Sequence, residues 1–168
     1  MINKFSNKKG MTVFIAVAIM GVLLLVSFAV VNVAIKSTLF ASSGRDSQFA
    51  FYAADAGLEC ALYWDSMSTI SKFDPATPGS PINCGGGTLT TGSAITGTST
   101  ATLIGGGGGN PTSTFGFVMN KGINPTNACA IVMVTKNLDG TTYIKSRGYN
   151  TCDITNSRRV ERGAEVTY

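Results

Sequence analysis

Apolar positions follow three different rhythms along this chain. From Met11 to Ile35 they are nearly continuous, MTVFIAVAIMGVLLLVSFAVVNVAI, with Thr12, Ser27 and Asn32 the only polar side chains. A helix needs about 20 apolar residues to cross a hydrocarbon core, so residues 11–35 predict a membrane-length helix. From Lys36 to Ile70 the run opens into a spaced pattern with no proline. Phe49, Tyr52, Ala53, Ala56, Cys60, Tyr63 and Trp64 fall on one face of an α-helix, and Arg45, Asp46, Asp55, Glu59 and Asp65 lie mostly off it. The spacing predicts that the helix continues over 36–70, stopping before Asp74-Pro75. A helix over 11–70 would be roughly 90 Å long, apolar all round in its first half and amphipathic in its second.

The third rhythm is alternation. Thr114–Met119, Ala128–Thr135 and Thr141–Tyr149 read as strands, with Asn137-Leu138-Asp139-Gly140 as the turn of a hairpin. Arg159–Tyr168 places Val160, Ala164, Val166 and Tyr168 on one face and Glu161 and Glu165 on the other. Arg162 interrupts the inward face, either at a sheet edge or reaching Glu59. Residues 71–168 thus predict an antiparallel sheet of three or four strands. The fold class is α+β, one long N-terminal helix packed by its C-terminal half on a small sheet head. Within the head, residues 79–110 hold 11 of the 20 glycines, including Gly85-Gly86-Gly87 and Gly105 to Gly109. They predict a long surface loop with a short strand near Ala101–Ile104, read either as a packing or adhesive surface or, as is commoner for such loops, as variable surface. The glycines lead into Asn110-Pro111 rather than a Gly-Lys-Ser/Thr sequence, so a phosphate-cradling loop is not expected.

Charge changes the picture in two places. The 168 residues carry +4, but Lys4, Lys8 and Lys9 supply most of it and the rest is nearly neutral. Basic residues ahead of an apolar run keep the N-terminus cytoplasmic and send the body outward. There is no His, which removes His-based catalytic triads and His-ligated zinc. A Ser-Lys hydrolase lacks any nucleophile motif, so neither an enzyme nor a cofactor nor a metal site is expected. Lys145, Arg147, Arg158, Arg159 and Arg162 cluster near the C-terminus, but Glu161 and Glu165 interrupt them. A solvated sheet edge explains these charges better than DNA binding. Asp55 and Glu59, one helical turn apart, repel mildly, which suggests an external cation such as Arg162; two solvated carboxylates explain them equally well.

Cys60, Cys84, Cys129 and Cys152 form no C-x-x-C pair. An even count in an exported body favours two disulfides, with three connectivities open. Pairing sequence neighbours gives Cys60–Cys84 and Cys129–Cys152, which would staple a small, glycine-rich head.

Three readings fit the N-terminal run. It is too long for an ordinary secretory signal peptide cleaved near Ser27-Phe28-Ala29, and it would serve as a plain single-pass anchor. Its flanks add a third. Lys8-Lys9-Gly10 immediately precedes it, and this junction resembles the class III signal of type IV pilins and type II secretion pseudopilins. The segment Gln48-Phe49-Ala50-Phe51-Tyr52-Ala53-Ala54-Asp55-Ala56-Gly57-Leu58-Glu59 resembles the Q-x-A-F-x-A-A-E-A-G-x-E segment of PilX-like minor pilins, with Asp55 in place of Glu. The resemblance covers about residues 8–65. It implies that prepilin peptidase removes leader 1–10 after Gly10, leaving Met11 as a methylated first residue. It also implies lipid before assembly, then an inner-membrane assembly platform and other pilin subunits as partners in an extracellular filament. Major pilins of the family usually carry Glu at the fifth mature position, where this chain has Ile15. That departure points to a minor subunit that primes assembly, caps the tip or mediates adhesion. A major subunit, or a bitopic anchored ectodomain that never enters a filament, are the alternatives.

Overall fold

A computed structural model of the chain describes residues 9–67, 70–76, 81–105, 111–119 and 127–168. Most of the expected leader therefore lies outside the described residues, as do Gly106 to Gly109 of the glycine-rich stretch. Helix α1 runs Lys9–Ser66. The chain divides into two compact units, one ending at Ser43 and one spanning Gly44–Tyr168.

The first unit is the apolar part of α1. Its large side chains from Met11 to Phe40 are exposed, and the helix is long and apolar enough to cross a membrane. Ser27 and Thr38 turn their hydroxyls back to Leu23 O and Ala34 O at 2.8 and 3.0 Å. Their polar atoms are thereby satisfied inside the helix, as a dry environment requires.

The second unit holds the remainder of α1 and two antiparallel sheets. The helix ends at Ser66, earlier than the expected residue 70. Ser66 Oγ folds back to Leu62 O at 2.9 Å, Lys72 N donates to Trp64 O at 3.3 Å, and the Ser71 hydroxyl donates to Asp65. The chain therefore turns back onto the last helical turn, and serine hydroxyls compete with further helical bonds.

Four strands form the main sheet: β3 (Thr112–Val118), β4 (Cys129–Lys136), β5 (Thr142–Tyr149) and β6 (Glu161–Thr167). They run as a meander in the order β3-β4-β5-β6. The β4–β5 turn works as its sequence suggests. Gly140 adopts φ 89°, and the Asp139 carboxylate accepts from Thr141 N at 2.9 Å. On one face Phe115, Ala130, Val132, Val134 and Ile144 are buried beneath α1. On the other, Ile95 from the 91–104 segment sits against Gly116.

Before the meander comes a small hairpin, β1 (Ile82–Cys84) and β2 (Gly87–Leu89). It corrects part of the long loop expected over 79–110. Gly85 and Gly86 take φ 60° and 77°, the left-handed pair that a tight two-residue hairpin needs. The strand expected near Ala101–Ile104 is reduced to two isolated bridges, Ala94 with Ala101 and Leu103 with Thr114.

Candidate functional site

The residues that join α1 to the sheet are small. Ala50, Ala53, Ala54 and Ala61 are fully buried, and Gly57 lies in the same stripe. Facing them on β5 is Gly148, where an added Cβ would collide with Ala50 O and Ala54 N and lie 2.9 Å from Ala53 C. Helix backbone and strand backbone are thus in direct contact. Gly57 lies instead against side chains of the sheet, Ser146 and Val132, and an added Cβ would be 2.8 Å from Val132 Cγ2. On the strand only glycine permits so close an approach, on the helix only alanine or glycine, and anything larger would hold the two backbones apart.

This seam corrects the packing face expected from the aromatic spacing. Of the predicted residues, Ala53 is buried, while Phe49, Ala56 and Trp64 are half-buried. Tyr52 and Tyr63 point away, 61% and 49% exposed. The apolar stripe is broad, and the close approach at Gly148 selects its narrowest residues for the centre and sends the rings to its flanks. Phe51 and Tyr52 form an edge-on pair, with ring centroids 6.2 Å apart, on the exposed side.

The β1–β2 hairpin is fastened to the helix beside Trp64. The sulfurs of Cys60 and Cys84 lie at bonding distance with their Cα atoms 6.1 Å apart, and Trp64 Nε1 donates to Asn83 O at 3.2 Å. The link closes a loop of 24 residues, worth about 3 kcal/mol by the chain-entropy account. Replacing both cysteines by alanine should lower the melting temperature of the full chain, and dithiothreitol should lower that of the wild type alone. An equal response of both proteins to the reductant would contradict the link.

The second expected disulfide is not formed. Cys129 and Cys152 are buried neighbours but remain thiols. Cys152 Sγ donates to Asn127 O at 3.0 Å, which directs its hydrogen away from the other sulfur. With Cys129 as the donor toward the Cys152 sulfur, that contact and burial push the Cys129 thiol up, while the same contact and the nearby Arg159 charge hold Cys152 down. Arg159 itself stacks on Tyr149, 3.8 Å above the ring centre.

Of the two readings of Asp55 and Glu59, the pairing with Arg162 is not formed. Arg162 Nε donates instead to Ser47 Oγ at 2.8 Å, about two turns before Asp55 on the helix. Among the described residues no cation comes within salt-bridge distance of Asp55 or Glu59. The sheet meets the helix on the Ala-Gly stripe, and Glu59 is exposed on another side.

A different charged contact, which no spacing in the sequence predicts, fastens the helix. Asp65, its side chain only 5% exposed, takes Lys136 Nζ at 2.6 and 2.7 Å on its two carboxylate oxygens. Tyr168 OH donates to it at 2.5 Å, and Ser71 donates as well. Lys136 also reaches Thr142 Oγ1 at 2.8 Å. The end of α1, the end of β4, the start of β5 and the last residue meet at one carboxylate. Burial alone would raise the Asp65 carboxyl, but the Lys136, Ser71 and Tyr168 hydrogen bonds and the Lys136 charge outweigh it and hold it below the usual range. Partial burial, and then the same contact, push the Tyr168 phenol up. A sequence clue existed: Tyr168 closes the inward alternation of β6, and Asp65 is the last acid of the helix.

Among the described residues no cluster of metal-ligating side chains occurs. Gly10 and Met11 belong to the first turns of α1, Met11 being exposed. Compared with known proteins, the chain matches no family model, no curated protein and no solved structure.

Proposed function

We propose that this chain is a structural subunit, of the minor kind, of a type IV pilus or type II secretion-like filament. The observation that carries the reading is the division of one continuous helix into two surfaces. Up to residue 43 its apolar side chains are uncovered; beyond that, an Ala-Gly stripe is covered by a sheet. An uncovered apolar helix suits a lipid bilayer and a bundle of like helices equally, because both are dry. In this reading Lys4, Lys8 and Lys9 hold the N-terminus on the cytoplasmic side of the inner membrane. Prepilin peptidase cuts after Gly10, and Met11 becomes the first, methylated residue. An assembly platform then moves the helix from lipid into the filament core, with the head outside. Ile15, where a carboxylate is usual, favours a minor over a major subunit.

N-terminal mass spectrometry tests this directly. In cells with active prepilin peptidase the mature protein should begin at Met11, and Gly10→Val should leave the longer precursor. A mature chain beginning elsewhere, or an unchanged mobility in the variant, overturns the processing. Filament membership is tested by shearing: recovery only in membranes would favour the bitopic ectodomain.

A further inference from the structure

The face of the main sheet opposite α1 carries a cavity of about 330 Å³ between β4, β5 and the threonine-rich segment before β3. That volume is near the lower end of small-molecule sites, which run from about 300 to 1,000 Å³. It has room for one ring rather than a chain. Its walls differ in chemistry. Lys145 and Arg147 project from one strand, with Tyr149 beside them. Thr98, Thr100 and Thr114 supply hydroxyls, and Ile131 and Met133 form an apolar strip. The Thr100 and Thr114 hydroxyls make no hydrogen bond to another described residue.

The two cations are only loosely neutralised. Lys145 Nζ stands 3.8 Å from Glu165 and Arg147 Nε 3.8 Å from Glu161. Tyr143 OH already occupies the same Glu165 oxygen at 2.7 Å. Neither glutamate lines the cavity, so the charge turned into it is positive. Tyr149 is held in place from its own side by the stacked Arg159.

We propose that this cavity binds a carboxylated sugar residue. The carboxylate meets Lys145 and Arg147, a charge-assisted contact. The ring hydroxyls meet Thr100 and Thr114, and the apolar C–H face of the ring rests on Ile131 and Met133. A bare inorganic anion would leave the threonines and the apolar strip unused. A neutral sugar would leave the cations without a partner. The inference concerns the head alone and stands whether or not the chain assembles into a filament.

The test is a titration of the full chain in detergent micelles with D-glucuronate, followed by saturation-transfer NMR. D-glucose and acetate serve as probes of the hydroxyl and carboxylate halves. Glucuronate should saturate, with glucose and acetate each about tenfold weaker or more, a difference of one decade in affinity. Arg147→Gln and Thr114→Val should each weaken glucuronate, while Lys72→Gln, away from the cavity, should not. Far-UV circular dichroism and melting would confirm that the variants fold. Binding should also weaken as salt rises. Glucose or acetate equal to glucuronate, glucuronate binding unaffected by either cavity variant, or no saturation would each overturn the proposal.

Discussion

Gly148→Ala should be among the most destabilising single changes in the head. The added methyl has nowhere to go: Ala50 O and Ala54 N are helix backbone and cannot rotate aside. Overpacking of a filled interior usually costs about 1–3 kcal/mol, and a clash between two backbones belongs at or above the top of that range. A loss of about 3 kcal/mol corresponds to a melting temperature lower by roughly 10 °C in a unit of this size. Trp64, the single tryptophan, sits beside the seam and gives a fluorescence signal for the transition. Gly57→Ala makes a graded comparison. Its obstacles are the side chains of Ser146 and Val132 with Ala130 Cβ, which can shift in part, so its loss should be the smaller. A Gly148→Ala protein melting with the wild type would show that β5 and α1 are not in backbone contact.

Lys136→Met should be the second severe change, for a different reason. It leaves the Asp65 carboxylate almost fully covered, with Ser71 and Tyr168 as its remaining donors. Breaking a buried pair on one side costs about 3–5 kcal/mol. Lys136 is 20% exposed, so about 2–4 kcal/mol is the expectation here. The cost should depend on pH. The Asp65 carboxyl is held below its usual value in the folded protein. Its contribution is therefore complete above the ordinary aspartate pKa of about 4 and is lost as pH falls through the lower folded value. Between pH 7 and pH 3 the melting temperature of the wild type should fall further than that of Asp65→Asn, which has no carboxylate to protonate. Equal falls in the two proteins would place the acid sensitivity elsewhere. Tyr168→Phe removes one donor and should cost about 1 kcal/mol.

Periodicity was sufficient for the long helix and for the strands β3 to β6, because both depend on which residues alternate and not on how far apart layers sit. It misjudged the seam. By hydrophobicity Phe49, Tyr52 and Tyr63 outrank Ala50, Ala54 and Gly57, yet the spacing between helix and strand is decided at Gly148, nearly a hundred residues away in the chain. The β1–β2 hairpin was hidden for the opposite reason. Three-residue strands carry too little alternation to be read, and Gly85-Gly86 lay within a stretch where glycine is common. Asp65 is not legible as an anchor because its partners Lys136 and Tyr168 are brought to it only by the turn at Gly140 and the final pairing of β6. The thiols at 129 and 152 are neighbours, as sequence proximity suggested, but their side-chain geometry is set by Asn127 O, which no spacing rule contains.

The attachments of the head have a mechanical consequence. Along α1 they come in the order Ser47, Ala50 to Ala54, Gly57, Cys60 and Asp65. The early ones are van der Waals contacts and a single hydrogen bond, stiff but short in range, and a slip of about one ångström forfeits much of such attraction. The link at Cys60 does not yield by sliding. A tensile load on the helix would release the Ala-Gly seam first and leave the head tethered at the far end of α1 through Cys84. Recoil onto the seam would then need only a short search, since the tether keeps the two surfaces close.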